Sequence, residues 1–237
     1  MPTFRLGNFN LAFLLLASIP LNLSAQERVT HKTVDLGAFT KEVMLLDFSD
    51  NHMQLGMWLP FEFFVAAAVS ERKMTKTEAE KNLKFLRPYL TLIVQNSLEL
   101  DDGTSVYADE KEVRARAVLK LSNGVEVNPL VKVPPRITAT LAAMKAVISQ
   151  EGDSGSASMH ILVFPAFTPQ GEKIVDTSRQ DQLTLLLKAN PRFKEVSMMW
   201  RTPFDATTNV PDCPRCKAGV SAKWSYCPYC GQKLPHQ

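Results

Sequence analysis

Hydrophobic positions along the chain outline a hairpin followed by a helix. Two apolar runs, residues 43–48 and 53–59, flank Ser49-Asp50-Asn51, a typical turn sequence. Pro60 then precedes an apolar stretch at residues 61–69. Proline is favoured in the first turn of a helix, so this stretch predicts a buried helix.

Capping and periodicity indicate two further helices. Thr75-Lys76-Thr77-Glu78 is a capping box, in which the Thr hydroxyl and the Glu carboxylate satisfy free N–H groups at a helix start. Pro88 ends that helix. Pro134-Pro135 opens the next helix. Its apolar stripe at positions i, i+4, i+7 and i+11 consists of Ile137, Leu141, Met144 and Ile148.

The period changes to two in the middle of the chain. Apolar residues alternate with polar ones over residues 113–121, which predicts a strand with one wet face. Asn123-Gly124 is a hairpin signal, because both central residues of a type I′ turn need positive φ. We therefore expect an antiparallel meander over residues 89–130. Further strands are expected at residues 159–164, 183–187 and 193–200.

Together these elements predict an α+β body over residues 26–201, with an antiparallel sheet and two to three packed helices. Its polar start, residues 26–42, suits an arm or an edge strand. Residues 202–212 are polar and flanked by prolines, which predicts a linker to residues 213–237. The net charge of +3 is too close to zero to favour a nucleic-acid partner.

Residues 1–25 have the organisation of a secretory signal peptide. Arg5 precedes an apolar run at residues 11–23, and Ser24-Ala25 places a small residue at the expected cleavage site. The run is shorter than the ~18 residues that usually span a bilayer. We predict cleavage before Gln26 and export to the periplasm or the cell exterior. The alternative is an uncleaved membrane anchor formed by residues 11–23.

The C-terminal segment carries all four cysteines, as Cys213-Pro-Arg-Cys216 and, after ten residues, Cys227-Pro-Tyr-Cys230. Two C-x2-C pairs can close round one metal ion, and four thiolates in a tetrahedron suit Zn²⁺. Iron or a redox dithiol is one alternative. A pair of disulfides is the other, because an exported chain meets oxidants before it folds.

This segment resembles the zinc-ribbon family over residues 213–234, and most of all the short ribbons of the double-zinc-ribbon kind, where Cys-Pro-x-Cys knuckles are common. Here there is one ribbon, and Lys217 stands where a glycine often follows the first pair. Trp224 and Tyr226 are expected to cover the small core. The resemblance implies a structural Zn²⁺ whose four protein ligands leave no position for water or substrate. These ligands would be Cys213, Cys216, Cys227 and Cys230.

No catalytic residues are predicted in the body. Motifs for zinc proteases, nucleophile elbows, phosphate loops and dinucleotide binding do not occur. The paired carboxylates Asp101-Asp102 and Asp109-Glu110 suit turns. The four histidines are isolated in sequence, and a lone histidine is usually structural; they are His31, His52, His160 and His236.

The sequence therefore favours a binding or assembly protein of the cell envelope with an unidentified protein partner. The alternative is an envelope hydrolase whose active site lies in the body, with the ribbon as a docking module. A histidine with a carboxylate in reach in a cleft would favour the hydrolase.

Overall fold

The structure, a computed structural model, describes residues 34–72, 74–121, 123–151, 158–208, 212–221 and 223–235. The predicted signal peptide, the alternative anchor, His31 and His236 lie outside these ranges. Among the described residues, no helix is both long enough and apolar enough to cross a membrane.

Five α-helices and nine β-strands occur in the described part of the chain. The helices are α1 (Leu36–Val43), α2 (Phe61–Arg72), α3 (Lys76–Leu83), α4 (Glu110–Arg116) and α5 (Pro135–Glu151). The strands are β1 (Met44–Ser49), β2 (His52–Leu59), β3 (Tyr89–Glu99), β4 (Ser105–Tyr107), β5 (Ala117–Lys120), β6 (Glu126–Val127), β7 (His160–Pro165), β8 (Asp181–Leu187) and β9 (Val196–Thr202).

All strand pairs are antiparallel, and the strands divide into two sheets. The first sheet has the order β1-β2-β3-β4, with β7 also paired to β3. The second has the order β6-β5-β8-β9. β3 is the centre of the first sheet, since β2 covers one of its edges while β7 and β4 share the other. The predicted α+β class is confirmed.

Two of the hairpin turns differ in geometry. At the β1–β2 turn, Asp50 and Asn51 have φ of 50° and 61°, as a type I′ turn requires. The Asn123-Gly124 hairpin also forms, joining β5 to β6. The type I′ turn expected there is corrected, because Gly124 has a positive φ, 83°, and Asn123 does not. The Asn123 side chain instead accepts a hydrogen bond from the Val125 N–H at 3.0 Å.

The predicted strand at residues 113–121 is wrong in its first half, because residues up to Arg116 belong to α4. Asp109 caps this helix by accepting a hydrogen bond from the Glu112 N–H at 2.7 Å. β5 begins directly at Ala117 and pairs with β8, so it lies in the second sheet. The expected meander over residues 89–130 is therefore split between the two sheets.

The predicted arm or edge strand at residues 26–42 is corrected for its described part, most of which is α1. Asp35 caps α1 through the Ala38 N–H at 3.1 Å. The capping box of α3 is confirmed, with both the Thr75 and the Glu78 side chains bonded to the opposite backbone. In α5 the stripe residues Ile137, Leu141 and Met144 are buried.

The two sheets approach closely where β2 meets β9. A side chain at Gly56 would collide with Met198 and come within 3.3 Å of the Trp200 ring. Trp200 donates its indole N–H to the Val43 carbonyl at 2.7 Å, which holds β9 against the end of α1. Trp58 packs edge to face on Trp200 in the same region. A glycine at position 56 therefore permits the packing of the two sheets.

Residues 202–204 are part of the body core and not of a free linker. Thr202 ends β9, and Thr202, Pro203 and Phe204 are buried. The Phe204 ring centroid lies 5.2 Å from that of Trp58 and 5.2 Å from that of Phe39. Burial of the apolar Phe204 ring stabilises the start of this polar, proline-flanked segment in the core.

Candidate metal centre

The four cysteine sulfurs converge at the C-terminus. They lie within 4.8 Å of one another, and they are the one group of three or more potential ligands of this kind among the described residues. The Sγ atoms of Cys213 and Cys230 are 3.6 Å apart, as are those of Cys216 and Cys227. All four thiols are free.

These sulfur–sulfur distances fit four sulfurs bound to one shared metal ion better than they fit disulfide bonds. Zn–S bonds of ~2.3 Å around a tetrahedral ion give S–S edges of ~3.8 Å, close to the two observed separations of 3.6 Å. A disulfide needs a separation of ~2.05 Å. The donor set is all sulfur, which suits a thiophilic ion such as Zn²⁺, Fe or Cu(I). The cluster could therefore hold a metal ion.

Each cysteine pair is held by its own backbone turn. The second turn repeats the first fourteen residues later (213 to 227 and 216 to 230). In the first, the Cys213 carbonyl accepts from the Lys217 N–H at 2.9 Å, and the Cys213 N–H donates to the Ala218 carbonyl at 2.8 Å. In the second, the corresponding bonds join Cys227 to Gly231 at 2.9 Å and to Gln232 at 2.8 Å.

The repeat extends to the flanking residues. Isolated bridges join Asp212 to Gly219 in the first half and Tyr226 to Lys233 in the second, so equivalent positions are paired. The residue after each pair also has positive φ, 61° at Lys217 and 73° at Gly231. This internal repeat is not among the features predicted above, although the fourteen-residue spacing of the two Cys-Pro-x-Cys motifs reveals it.

The first knuckle favours the thiolate form of its leading cysteine. The pKa of Cys213 is lowered from 9.0 to about 6, mainly because the Cys216 N–H hydrogen-bonds to its sulfur. The Arg215 N–H lowers this pKa in the same way, while burial acts against both. A thiolate is the form that binds metals, so this backbone turn prepares a ligand.

Cys230 shows the opposite shift, since its pKa is raised to about 12. A hydrogen bond from the Gln232 N–H lowers this pKa, but burial and the thiols of Cys216, Cys213 and Cys227 together outweigh it. Four sulfurs this close cannot all carry negative charge without a compensating cation. A divalent ion at the centre would supply that charge and allow all four to bind as thiolates.

A small apolar core supports the cluster. Val220 and Leu234, which occupy equivalent positions in the repeat, are buried with Cys213 and Cys227. The expectation that Trp224 and Tyr226 cover this core is wrong, because their side chains are 42% and 59% exposed. Branched aliphatic side chains beneath each knuckle fill the space instead. So few buried side chains cannot stabilise a fold by themselves, which makes a metal the expected source of folding energy.

The C-terminal segment from residue 212 onwards, which we call the tail, also contacts the body. Lys223 forms an ion pair with Glu42 at the end of α1, and its Nζ lies 5.5 Å from the centroid of the Phe204 ring. The Glu42 carboxylate additionally accepts from the N–H groups of Asp205 at 2.9 Å and Ala206 at 2.8 Å. Glu42 thus connects α1, the end of the body and the tail.

The two described histidines bind backbone carbonyls. His52 Nδ1 is 2.8 Å from the Asp50 carbonyl oxygen, and His160 Nε2 is 2.8 Å from that of Ala108. The carbonyl oxygens can only accept, so these ring nitrogens carry the protons. Neither histidine is hydrogen-bonded to a carboxylate in the described part of the chain.

The paired carboxylates have local structural roles. Asp102 accepts hydrogen bonds from the Thr104 N–H at 2.9 Å and from its hydroxyl at 2.6 Å, which closes the turn before β4 and lowers the pKa of Asp102. Asp109 caps α4, and Glu110 pairs with Arg114 at 3.1 Å. These carboxylates act as turn and cap residues, as their positions in the sequence indicate.

Comparison with protein-family models finds no match, and comparison with curated protein sequences finds none. A crystal structure of a DUF4426 family protein from Pseudomonas aeruginosa PAO1 aligns with 67% of this chain and 94% of that chain, at 11% sequence identity and a TM-score of 0.29. This TM-score is too low to support a conclusion about fold or function. The candidate metal centre therefore rests on its own geometry.

Proposed function

We propose that this chain is an exported zinc-binding protein whose C-terminal ribbon folds around one structural Zn²⁺. The observation that carries the proposal is the convergence of four free cysteine sulfurs within 4.8 Å. Their all-sulfur chemistry and near-tetrahedral spacing support zinc, and four protein ligands, which fill every position of a tetrahedral ion, support a structural role.

We further propose that the protein binds or assembles with a partner at the cell envelope. A groove of about 340 Å³ lies between β1 and β9, each of which pairs with one neighbouring strand among the described strands. Leu46 and Met199 on this groove are 39% and 43% exposed. Strands with a free edge and nearby apolar side chains can accept an extended peptide as an added strand.

No observation favours the hydrolase alternative. His52 and His160 bind backbone carbonyls, and neither lines the groove between β1 and β9. The binding role is therefore the one retained.

Metal analysis of the purified full chain tests the zinc centre. One zinc per chain, with thiols that react only after a chelator is added, is the expected result. Four oxidised cysteines without metal would replace the ribbon with disulfides. Bound iron with a visible charge-transfer band would overturn the structural-zinc assignment. Cys227→Ser, which removes one ligand, is the matched control and should lose the metal.

Sequencing of the N-terminus of protein isolated from its natural host tests export. A mature chain that begins at or near Gln26 and fractionates outside the cytoplasm is expected. An intact Met1 in the membrane fraction would replace the cleaved signal with an anchor at residues 11–23. An intact Met1 in the cytoplasm would refute export altogether.

A further inference from the structure

The face of the first sheet that looks towards the second sheet carries polar side chains. Gly56 shows this orientation, because a side chain there would meet Met198 and Trp200 of β9. Gln54 precedes Gly56 by two residues on β2 and therefore shares its face. Asn96 on β3 is the register partner of Gln54, so its side chain lies on the same face.

His160 joins the same group from β7. It is the register partner of Val94, which lies two residues before Asn96 on β3 and so shares its face. Ala108 links Asn96 to His160. Its N–H donates to the Asn96 carbonyl at 2.9 Å, and its carbonyl accepts from His160 Nε2 at 2.8 Å. Gln54, Asn96 and His160 thus form one cluster, which we call the inter-sheet polar cluster.

The inter-sheet polar cluster is buried, and five of its side-chain atoms have no partner in the described part of the chain. Gln54 and Asn96 are 0% exposed and His160 is 7% exposed. Both amide atoms of Gln54, both of Asn96 and the Nδ1 of His160 have no hydrogen-bond partner among the described residues. Buried polar atoms are nearly always hydrogen-bonded in native proteins, since an unpaired one is costly. Five such atoms on one buried sheet face indicate that a hydrogen-bonding ligand is bound there.

The side chains of His52 and Arg116 extend this buried polar region. The Phe193 ring lies 6.3 Å from the His52 ring and 5.2 Å from the Arg116 guanidinium carbon. His52 Nε2 and Arg116 Nη1 are also buried without a partner among the described residues. The other Arg116 nitrogens donate to the carbonyls of Lys188 and Lys194 at 2.6 Å and 2.9 Å, which fixes its position.

The chemistry of these groups selects a small neutral ligand that both donates and accepts. The rings of His52 and His160 donate through one nitrogen to a carbonyl, so in neutral histidine the other nitrogen presents a lone pair. Two lone pairs disfavour an anion, and the Arg116 charge disfavours a cation. The amides of Gln54 and Asn96 can both donate and accept. Water meets these requirements, and buried waters in proteins typically bond to otherwise unpaired buried polar groups of this kind.

We propose that the inter-sheet polar cluster of Gln54, Asn96 and His160 binds ordered internal water. The water hydrogen-bonds to both amides and to His160 Nδ1, and it completes the packing of the two sheets. The site is separate from the cysteine cluster and does not depend on the metal.

A high-resolution crystal structure of the full chain is the direct test. Water oxygens at ~2.7–3.2 Å from the Gln54 amide, the Asn96 amide and His160 Nδ1 are expected. In solution, nuclear Overhauser contacts between the Gln54 and Asn96 side-chain amide protons and long-lived water should accompany them. A direct Gln54–Asn96 hydrogen bond with no water, or density for a larger molecule, would overturn the proposal.

A double variant adds a control for the role of the amides. Gln54→Leu/Asn96→Leu replaces both amides with apolar groups of similar size, and the water bound to them should be lost. Gln95→Leu is the matched control, because Gln95 is a buried glutamine on the opposite face of β3. It should leave the water in place. Loss of the water in Gln95→Leu, or its retention in the double variant, would contradict the assignment. Both wild-type measurements stand even if a variant fails to fold.

Discussion

Lys223 of the cysteine-bearing tail forms an ion pair with Glu42, the penultimate residue of α1. The two side chains are 22% and 19% exposed, so the pair is only partly screened by solvent. Glu42 is at the same time the acceptor for two backbone N–H groups, at Asp205 and Ala206. The last residues of the body and the tail are therefore anchored to one carboxylate.

We expect Lys223→Met to loosen the tail without releasing its metal. The loss in stability should be at most ~1 kcal/mol, as for other partly exposed ion pairs. Hydrogen exchange should quicken in residues 213–234, while metal content stays unchanged. Lys233→Met is the control, since Lys233 is exposed and forms no ion pair among the described residues. Equal exchange in the two variants would show that the pair does not fix the tail.

Glu42→Ala should be more damaging than Lys223→Met. It removes the ion pair and also leaves the N–H groups of Asp205 and Ala206 without their acceptor. A hydrogen bond to a charged group contributes about 1.5–3 kcal/mol, so chemical denaturation should show a loss of at least that size. A loss no greater than that of Lys223→Met would contradict the anchoring role of Glu42.

Acid should release the metal. At the proposed metal centre the cysteines would bind as thiolates, so protons would compete with the ion and affinity would fall as pH falls. Cys213 has its pKa lowered from 9.0 to about 6, so its contribution is complete above pH 9 and is lost as pH falls through about 6. A chelator-competition titration across this range measures the loss. A metal affinity that does not change between pH 8 and about 5 would argue against thiolate ligation.

Cys227→Ser should unfold residues 213–234 and leave the body folded. The tail has a core of only a few buried side chains, so the proposed metal would be needed to fold it, whereas the body has its own extensive core. Far-ultraviolet circular dichroism and the main thermal transition should change little, while proteolysis should remove the tail. Cooperative loss of the whole structure would show that the two cores are not independent.

The repeated knuckles predict opposite effects of substitution at equivalent positions. Lys217 has φ of 61°, a conformation that costs a side-chain-bearing residue ~1–2 kcal/mol. Lys217→Gly should therefore raise the metal affinity, and Gly231→Ala should lower it, because Gly231 has φ of 73°. No atom lies within 4 Å of a side chain built at Gly231, so its penalty is purely conformational. Competition with a chromogenic chelator measures both, and changes in the same direction would refute the account.

Gly56→Ala should strain the contact between the two sheets. The new methyl group would collide with the Met198 sulfur, and overpacking of a core costs about 1–3 kcal/mol. Met198→Ala removes the obstacle, so the double variant should be more stable than the sum of the two single effects. Urea denaturation of the four proteins measures this coupling. Strict additivity would mean that β9 does not press on β2 at this point.

The elements predicted best are those whose signal is local. The capping box at Thr75 and Glu78, the turn at Asp50-Asn51 and the start of α5 at Pro135 depend on residues close together in sequence. α4 was missed although its signal is equally local: Asp109 with Glu112 three residues later is a capping pattern. The alternation that continues into β5 concealed it, since the helix passes into the strand without a loop.

The sequence by itself determined the α+β class, the positions of most helices and turns, and the four sulfur atoms of the candidate metal centre. The spacing of the cysteines sufficed for that centre, because each knuckle is a short turn closed by its own backbone hydrogen bonds. Only the tertiary structure decided that β3 and β5 belong to different sheets and that Phe204 lies in the core. It also decided that Glu42 meets Lys223 and that Gln54, Asn96 and His160 share a buried face. These contacts join residues far apart in the chain, and their energies depend on burial and packing, which no local pattern encodes.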